Sequence, residues 1–445
     1  MLQSHELRNF LTAEAIEDEG AKASFAENFT PAELIDEMLD TLPADVFSNP
    51  SLTWLDPAAG IGNFPIIVFE RLMAGLHDTL PDPVLRRAHI LSNMLFMIEI
   101  QPRSCARMAD ALGDSINLHQ GDFLSSDWPE TFPDKFDIVL GNPPYERMVD
   151  GARSAKNDNL WSKFIDAGME RLRDDGYLLY ITPPAWMSPS SKQLKAWFLP
   201  HRIVHLNIQD CARWFKVGSK FSYYLIQKTP RDPDDDISFV CSFPGSKSLK
   251  PLRASGTLRL GSDVAFIPQI LAPEVSSLLD KTCFAADIPK LDVIYDSDLH
   301  RFTKKHLISD TQDETFCHPL HHTPSKRVFA SRPHKNQGRL KVFIPLTTYF
   351  EQAFISRDGN TQGLGYVLCD TQEEADKLLA LLMTAPYRFI ANITRWSNFT
   401  VPLVMKLLPR IDLDQWSLEE ITSERVEKAL GLNADECAFI AKCLK

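Results

Sequence analysis

Over the first 230 positions, short apolar runs alternate with stretches whose apolar residues recur at helical spacing. Runs near 52–55, 95–100, 136–141, 177–182, 203–208 and 221–227 predict strands, with helices between most of them. Such alternation predicts a mainly parallel sheet covered on both faces. An antiparallel strand is expected only at the end, where the loop 214–220 precedes the last run. Upstream, residues 1–45 read as helical: Leu7, Phe10, Leu11 and Ile16 stand near helical spacing. Thr30-Pro31-Ala32-Glu33 has the form of a helix start, with Thr30 as cap and Pro31 at the first position. Apolar positions 34, 35, 38, 39 and 42 make the stripe of the helix that follows.

The polar, proline-broken stretch Thr229-Pro230-Arg231-Asp232-Pro233 predicts a domain boundary, dividing the chain into 1–230 and 231–445. Beyond it, strand-like runs at 237–241, 342–344 and 365–368 and a helix at 372–383 predict a mixed α+β domain.

Composition narrows the class. A 445-residue chain with 44% hydrophobic and 24% charged residues is expected to be an ordinary globular protein of two or three domains. Apolar runs fall far short of a membrane span, and Met1-Leu2-Gln3-Ser4-His5-Glu6 lacks signal-peptide features, so a cytoplasmic protein with no membrane partner is expected. The eight cysteines are scattered without a Cys-x-x-Cys pair, which argues against a disulfide framework. Cys317, His318, His321 and His322 lack a second spaced pair of ligands, so no metal is expected there. The net charge of −12 hides an asymmetry: residues 301–345 hold nine bases against three acids. A basic segment in an acidic protein is a candidate polyanion contact, with a solvated loop as the alternative.

Chemistry concentrates at the predicted strand ends. The run at 136–141 is stopped by Gly141 and two prolines in Gly141-Asn142-Pro143-Pro144-Tyr145, because proline cannot donate to a ladder. Open α/β sheets bind ligands just outside the carboxyl ends of their strands. There the Asn142 side-chain oxygen and the Pro143 carbonyl offer two acceptors to a substrate amino group, and Tyr145 offers a face for stacking. The first strand runs into Asp56-Pro57-Ala58-Ala59-Gly60-Ile61-Gly62, a turn in which glycines admit a close ligand. The second ends at Glu99, placed to hold a ribose diol. Gly60 and Glu99 stand further apart than in a nicotinamide-binding unit. Asp122-Phe123 follows at another tip, where the acid can accept from an adenine amino group and the ring can stack.

Taken in order, these pieces resemble the S-adenosylmethionine-dependent N6-adenine DNA methyltransferases of restriction-modification systems, in the arrangement whose recognition domain follows the catalytic one. The matching residues run from Phe29-Thr30-Pro31 through 56–64, 98–102, 121–124 and 142–145 to Phe164-Ile165, 172–183 and Phe215, with Asn398-Phe399 and Leu407-Leu408-Pro409 near the end. Met97 departs from the family's glycine, and the turn 59–62 lacks its small Cys or Ser neighbours. The resemblance implies a Rossmann-like domain with a mostly parallel seven-stranded sheet and a C-terminal recognition domain. It implies S-adenosylmethionine contacts at Thr30, Asp56, Ala58, Gly60, Gly62, Glu99, Ile100, Asp122 and Phe123. Asn142, Pro143, Pro144 and Tyr145 would carry the chemistry, with Tyr145 on one face of a flipped adenine and Phe215, or else Phe221, on the other. Phosphate contacts in double-stranded DNA are expected from Lys304, Lys305, Lys326, Arg327, Arg332, Lys335 and Arg339. Methylation without cleavage is expected, with a separate restriction endonuclease as a possible partner. RNA adenine methylation, glutamine amide methylation and an inactive DNA-binding subunit remain as alternatives.

Overall fold

The computed structural model describes residues 30–113, 115–125, 127–146, 148–149, 152–153, 159–215, 220–396 and 401–445. They fall into two compact units, Met1–Trp186 with Lys192–Cys241, and Met187–Ser191 with Ser242–Lys445.

The first unit is built on strands β1 (Trp54–Asp56), β2 (Leu95–Glu99), β3 (Asn117–Gln120), β4 (Phe136–Gly141), β5 (Leu172–Thr182), β6 (His201–Ile208), β7 (Ser222–Pro230) and β8 (Ile237–Phe243). With β9 (Leu252–Leu258) the sheet order is β9-β8-β6-β7-β5-β4-β1-β2-β3. Every residue of β1 and β2 is buried, as expected for parallel strands covered on both faces. β1 pairs in parallel with both β2 and β4, so the winding reverses between β1 and β4. β7 runs antiparallel to both β5 and β6, as the loop before it predicts.

Three expectations change. The sheet has nine strands rather than seven, because β8 and β9 extend it beyond β6. The proline-broken stretch near 231 is a tight turn between β7 and β8, closed by the Asp235 N–H on the Asp232 carbonyl, and the units divide at Cys241 instead. β3, with the single aliphatic residue Leu118 and no buried position, carries too little pattern to be predicted as a strand.

Helices α1 (Ala32–Leu39), α2 (Asn63–Gly75), α3 (Pro83–His89), α4 (Pro102–Leu112) and α5 (Leu160–Arg171) belong to the same unit. α1 buries Leu34, Ile35, Met38 and Leu39, the predicted stripe. It does not use Thr30 as a cap: Pro31 stands at the N-cap with no side-chain bond, which frees Thr30 for another role.

In the second unit, β10 (His318–Thr323) and β11 (Lys326–Ala330) form a hairpin, and β12 (Lys341–Pro345) lies between β13 (Phe354–Ser356) and β14 (Leu364–Leu368). The helix expected at 372–383 is Gln372–Leu382, capped by the Thr371 side chain.

Candidate active site at the strand tips

The winding reversal places two carboxyl ends side by side. β4 ends at Gly141 with φ +145°, and a Cβ there would lie 2.8 Å from Asp56 Oδ1 at the end of β1. Only glycine lets the two tips approach this closely.

Asp56 is 2% exposed, and its Oδ1 accepts the Ala58 N–H at 3.1 Å. Burial pushes its carboxyl up to about 8; the Ala58 donor works against this, and the nearby Glu99 charge adds to it. Such a group gains from a positively charged neighbour, which lowers the cost of ionisation. The turn that follows carries Gly60 at φ +56° and Gly62 at φ +95°. A Cβ on Gly62 would meet Met108 Cγ at 2.9 Å, whereas the space beside Gly60 is open for 4 Å.

Glu99 closes this turn. Its Oε2 accepts the Gly60 N–H and its Oε1 the Gln101 N–H, both at 2.8 Å. A carboxylate oxygen can accept more than one donor, so a vicinal diol suits this position. Beside it Ile100 is 63% exposed and offers an apolar surface. Phe123, expected to stack on a ligand, is 4% exposed, with Trp128 and Phe164 at ring-centroid distances of 5.5 and 5.3 Å. Its ring is therefore spent on the core, leaving Ile100 as the open apolar face. Asp122 Oδ1 accepts the Leu124 N–H at 2.9 Å, and its other oxygen has no protein partner among the described residues. Acid, diol acceptor, glycine turn and apolar surface together fit S-adenosylmethionine.

At the β4 tip, Asn142 is held at both ends. Its Nδ2 donates to Thr30 Oγ1 at 3.1 Å, and its Oδ1 accepts the Tyr145 hydroxyl at 2.8 Å. Burial pushes the Tyr145 hydroxyl well above its ordinary pKa, so it stays a neutral donor. Pro143 is buried, while Pro144 is exposed. Tyr145 packs on Phe221 at 5.8 Å, and Phe221 on Phe215 at 4.5 Å. Phe221 is fully buried, which leaves half-buried Phe215 as the ring with a free face.

Residues 91–211 match the Eco57I restriction-modification methylase family. That stretch contains Glu99, Asp122 and the whole of the β4 tip. An uncharacterized adenine-specific methylase of Mycoplasma pneumoniae is 45% identical over 75 residues, 16% of this chain and 18% of that protein, so the alignment spans under a fifth of the relative. A nuclease-deletion mutant of the Type ISP restriction-modification enzyme LlaGI, solved with a DNA substrate mimic, shares the fold at TM-score 0.55. The match is 13% identical and covers 92% of this chain and 55% of that one. The Type IIL restriction-modification enzyme MmeI, solved with DNA, gives a TM-score of 0.49 at 12% identity over 90% of this chain and 68% of that one. The chain therefore shares its α/β fold with the LlaGI enzyme.

Sequence patterning did not reveal what steadies the turn bearing Phe215. Glu37 on α1 accepts from Arg213 at 2.6 Å, Tyr223 at 3.1 Å and Asn207 at 3.3 Å. Asn207 is fully buried and accepts the Cys211 N–H, and Arg213 also pairs with Asp210. Gln209, at φ +67°, bends the chain between β6 and this cluster. Glu37 stands 170, 176 and 186 residues from Asn207, Arg213 and Tyr223, so no local spacing signals these contacts.

In the second unit the basic residues are mostly paired. Lys326 lies 3.6 Å from Asp310, Arg327 3.0 Å from Asp358, Arg332 2.7 Å from Asp298 and Lys335 3.2 Å from Asp296. Lys304 donates to the Asp298 carbonyl at 2.7 Å. Lys341 is fully buried, its Nζ on the carbonyls of Arg339, Arg357 and Asp358, and burial pushes it down to about 8. Lys305 and Arg339 are exposed and without an acidic partner among the described residues. Of the histidine cluster, His321 meets Ser356 and Asp358, and His322 meets Thr361. Asn398 and Phe399 lie outside the described residues. Among the described residues, no helix is long and apolar enough to cross a membrane.

Proposed function

We propose that this chain transfers a methyl group to the N6 amino nitrogen of adenine in double-stranded DNA. The observation that carries the reading is Asn142 at the β4 tip, held between Thr30 and Tyr145, next to the buried Asp56 that the adjoining Gly141 approaches. S-adenosylmethionine supplies an activated methyl group when bound; Asp56, Gly60, Gly62, Glu99, Ile100 and Asp122 would hold it.

An adenine inside a duplex cannot reach the strand tips, so the base must flip out, at a cost of about a few kcal/mol. Tyr145 and Phe215 then offer faces for stacking. Asn142 Oδ1 and the Pro143 carbonyl accept the two amino hydrogens, which draws the nitrogen lone pair out of ring conjugation and aims it at the methyl. The Tyr145 hydroxyl now sits where the amino donor would arrive. No strong base is needed, because the nitrogen gives up its proton after it has taken the methyl group. Catalysis is then positioning and electrostatics. Lys305 and Arg339 are the phosphate contacts best placed to act, since their charges are uncommitted. A restriction endonuclease of matching specificity is the partner this reading implies.

The test is methyl transfer from tritiated S-adenosylmethionine to unmethylated duplex DNA, RNA and protein, with the natural chain and Asn142→Ala. Label in DNA adenine that Asn142→Ala abolishes is the expected result. Label confined to RNA or to protein would replace the substrate assignment.

A further inference from the structure

Thr30 is implied as a cofactor contact by family resemblance, but its side chain does something else. Its hydroxyl oxygen stands 3.1 Å from Asn142 Nδ2, across 112 residues of sequence. Thr30 is 4% exposed, and its carbonyl accepts Asn63 Nδ2 at 2.9 Å, so the residue is fixed from a second side. We propose that Thr30 is a positioning residue for catalysis: it holds the Asn142 amide with Oδ1 outward and the amino group inward. The inference rests on the methyltransferase reading above.

The physical need is specific. The terminal torsion of an asparagine is broad and nearly two-fold, so the side chain can present either its oxygen or its amino group to the substrate. A target amino group brings hydrogens, and only the oxygen-out arrangement offers it an acceptor. That arrangement turns Nδ2 toward the protein, where an acceptor must meet it. Thr30 Oγ1 is that acceptor. The Tyr145 hydroxyl cannot make the choice by itself, because it can accept from Nδ2 as well as donate to Oδ1. Without Thr30 the inward amino group loses the hydroxyl acceptor seen here, and the inverted amide, which repels the substrate, becomes more competitive.

The test compares Thr30→Val, which keeps the shape and loses the hydroxyl, with Thr30→Ser, which keeps the hydroxyl. In Thr30→Val, kcat for methyl transfer is expected to fall by about tenfold or more, with the dissociation constant for S-adenosylmethionine within about twofold. Thr30→Ser should recover most of the rate. A loss of cofactor affinity with kcat intact at saturation would make Thr30 a cofactor ligand and overturn the proposal. Unchanged rate and affinity would overturn it too. A second readout does not depend on turnover: in protein labelled with 15N-asparagine, the Asn142 side-chain signal, identified by its loss in Asn142→Ala, should shift and exchange faster in Thr30→Val and stay in place in Thr30→Ser. If the natural chain methylates no DNA, the functional reading fails, while this signal still answers for the Thr30 contact. Should Thr30→Val not fold, Thr30→Ala takes its place in both measurements.

Discussion

Asp56 should couple cofactor binding to release of a proton. Its carboxyl is pushed up to about 8 chiefly by burial, against the Ala58 N–H and with the Glu99 charge. At pH 7 about nine molecules in ten then carry the proton. A ligand with a positive group beside Asp56 binds the ionised form, so binding must expel that proton. Between about pH 6 and 7.5 the dissociation constant for S-adenosylmethionine is expected to fall about tenfold per pH unit and to level off near 8. Titration calorimetry at pH 7 in buffers of different ionisation enthalpy should read release of about 0.9 proton. Asp56→Asn should bind weakly and with a flat profile. Glu99→Gln removes the like charge, so besides weakening binding it should move the levelling point to lower pH. Folding carries the matching sign. The folded pKa is above the unfolded one, so the cofactor-free protein keeps a proton that the unfolded chain releases above about pH 4. Stability present below that point is lost as pH rises toward 8. An affinity independent of pH, with no proton released, would refute the placement of a positive group at Asp56.

Two further outcomes follow from the contacts. Glu37→Ala should cost about 1 kcal/mol in chemical denaturation, at the low end of a lost charged acceptor because the Arg213 side chain is half-exposed. It should raise KM for DNA while leaving cofactor affinity unchanged, since it loosens the turn bearing Phe215; equal losses in both would assign Glu37 to general stability. Lys305→Ala should lower the slope of log affinity against log salt by about one unit without changing the melting temperature. Arg332→Ala, which strips Asp298 of its ion pair, should cost about 1 kcal/mol or less of stability and leave the salt slope nearly unchanged. If Arg332→Ala alters the slope as much as Lys305→Ala, ion pairing does not withhold that charge from DNA.

The strand tips were legible because their signals are local. Gly141 with the two prolines just after it stops a strand wherever it occurs, and Asp56 and Glu99 each end a short apolar run. Phe123 was misjudged because an aromatic ring at a tip can face a ligand or the core, and only its neighbours Trp128 and Phe164 decide which. The basic segment was overcounted for a similar reason. Asp296, Asp298 and Asp358, which neutralise much of it, lie outside the stretch 301–345 and come to it through the fold.

The sequence by itself determined an alternating α/β order, the breaks that end its strands, and the residue types able to hold an amino group at one tip and a diol at another. These depend on periodicity and punctuation within a few residues. Only the tertiary structure decided that Thr30 leaves its helix to hold Asn142, that Glu37 anchors a turn reached 186 residues later through Tyr223, and that the sheet runs on to nine strands. Each of these is a contact between segments far apart in the chain. Such a contact forms because folding brings together a buried donor and the acceptor it requires, and no spacing along the sequence records that meeting.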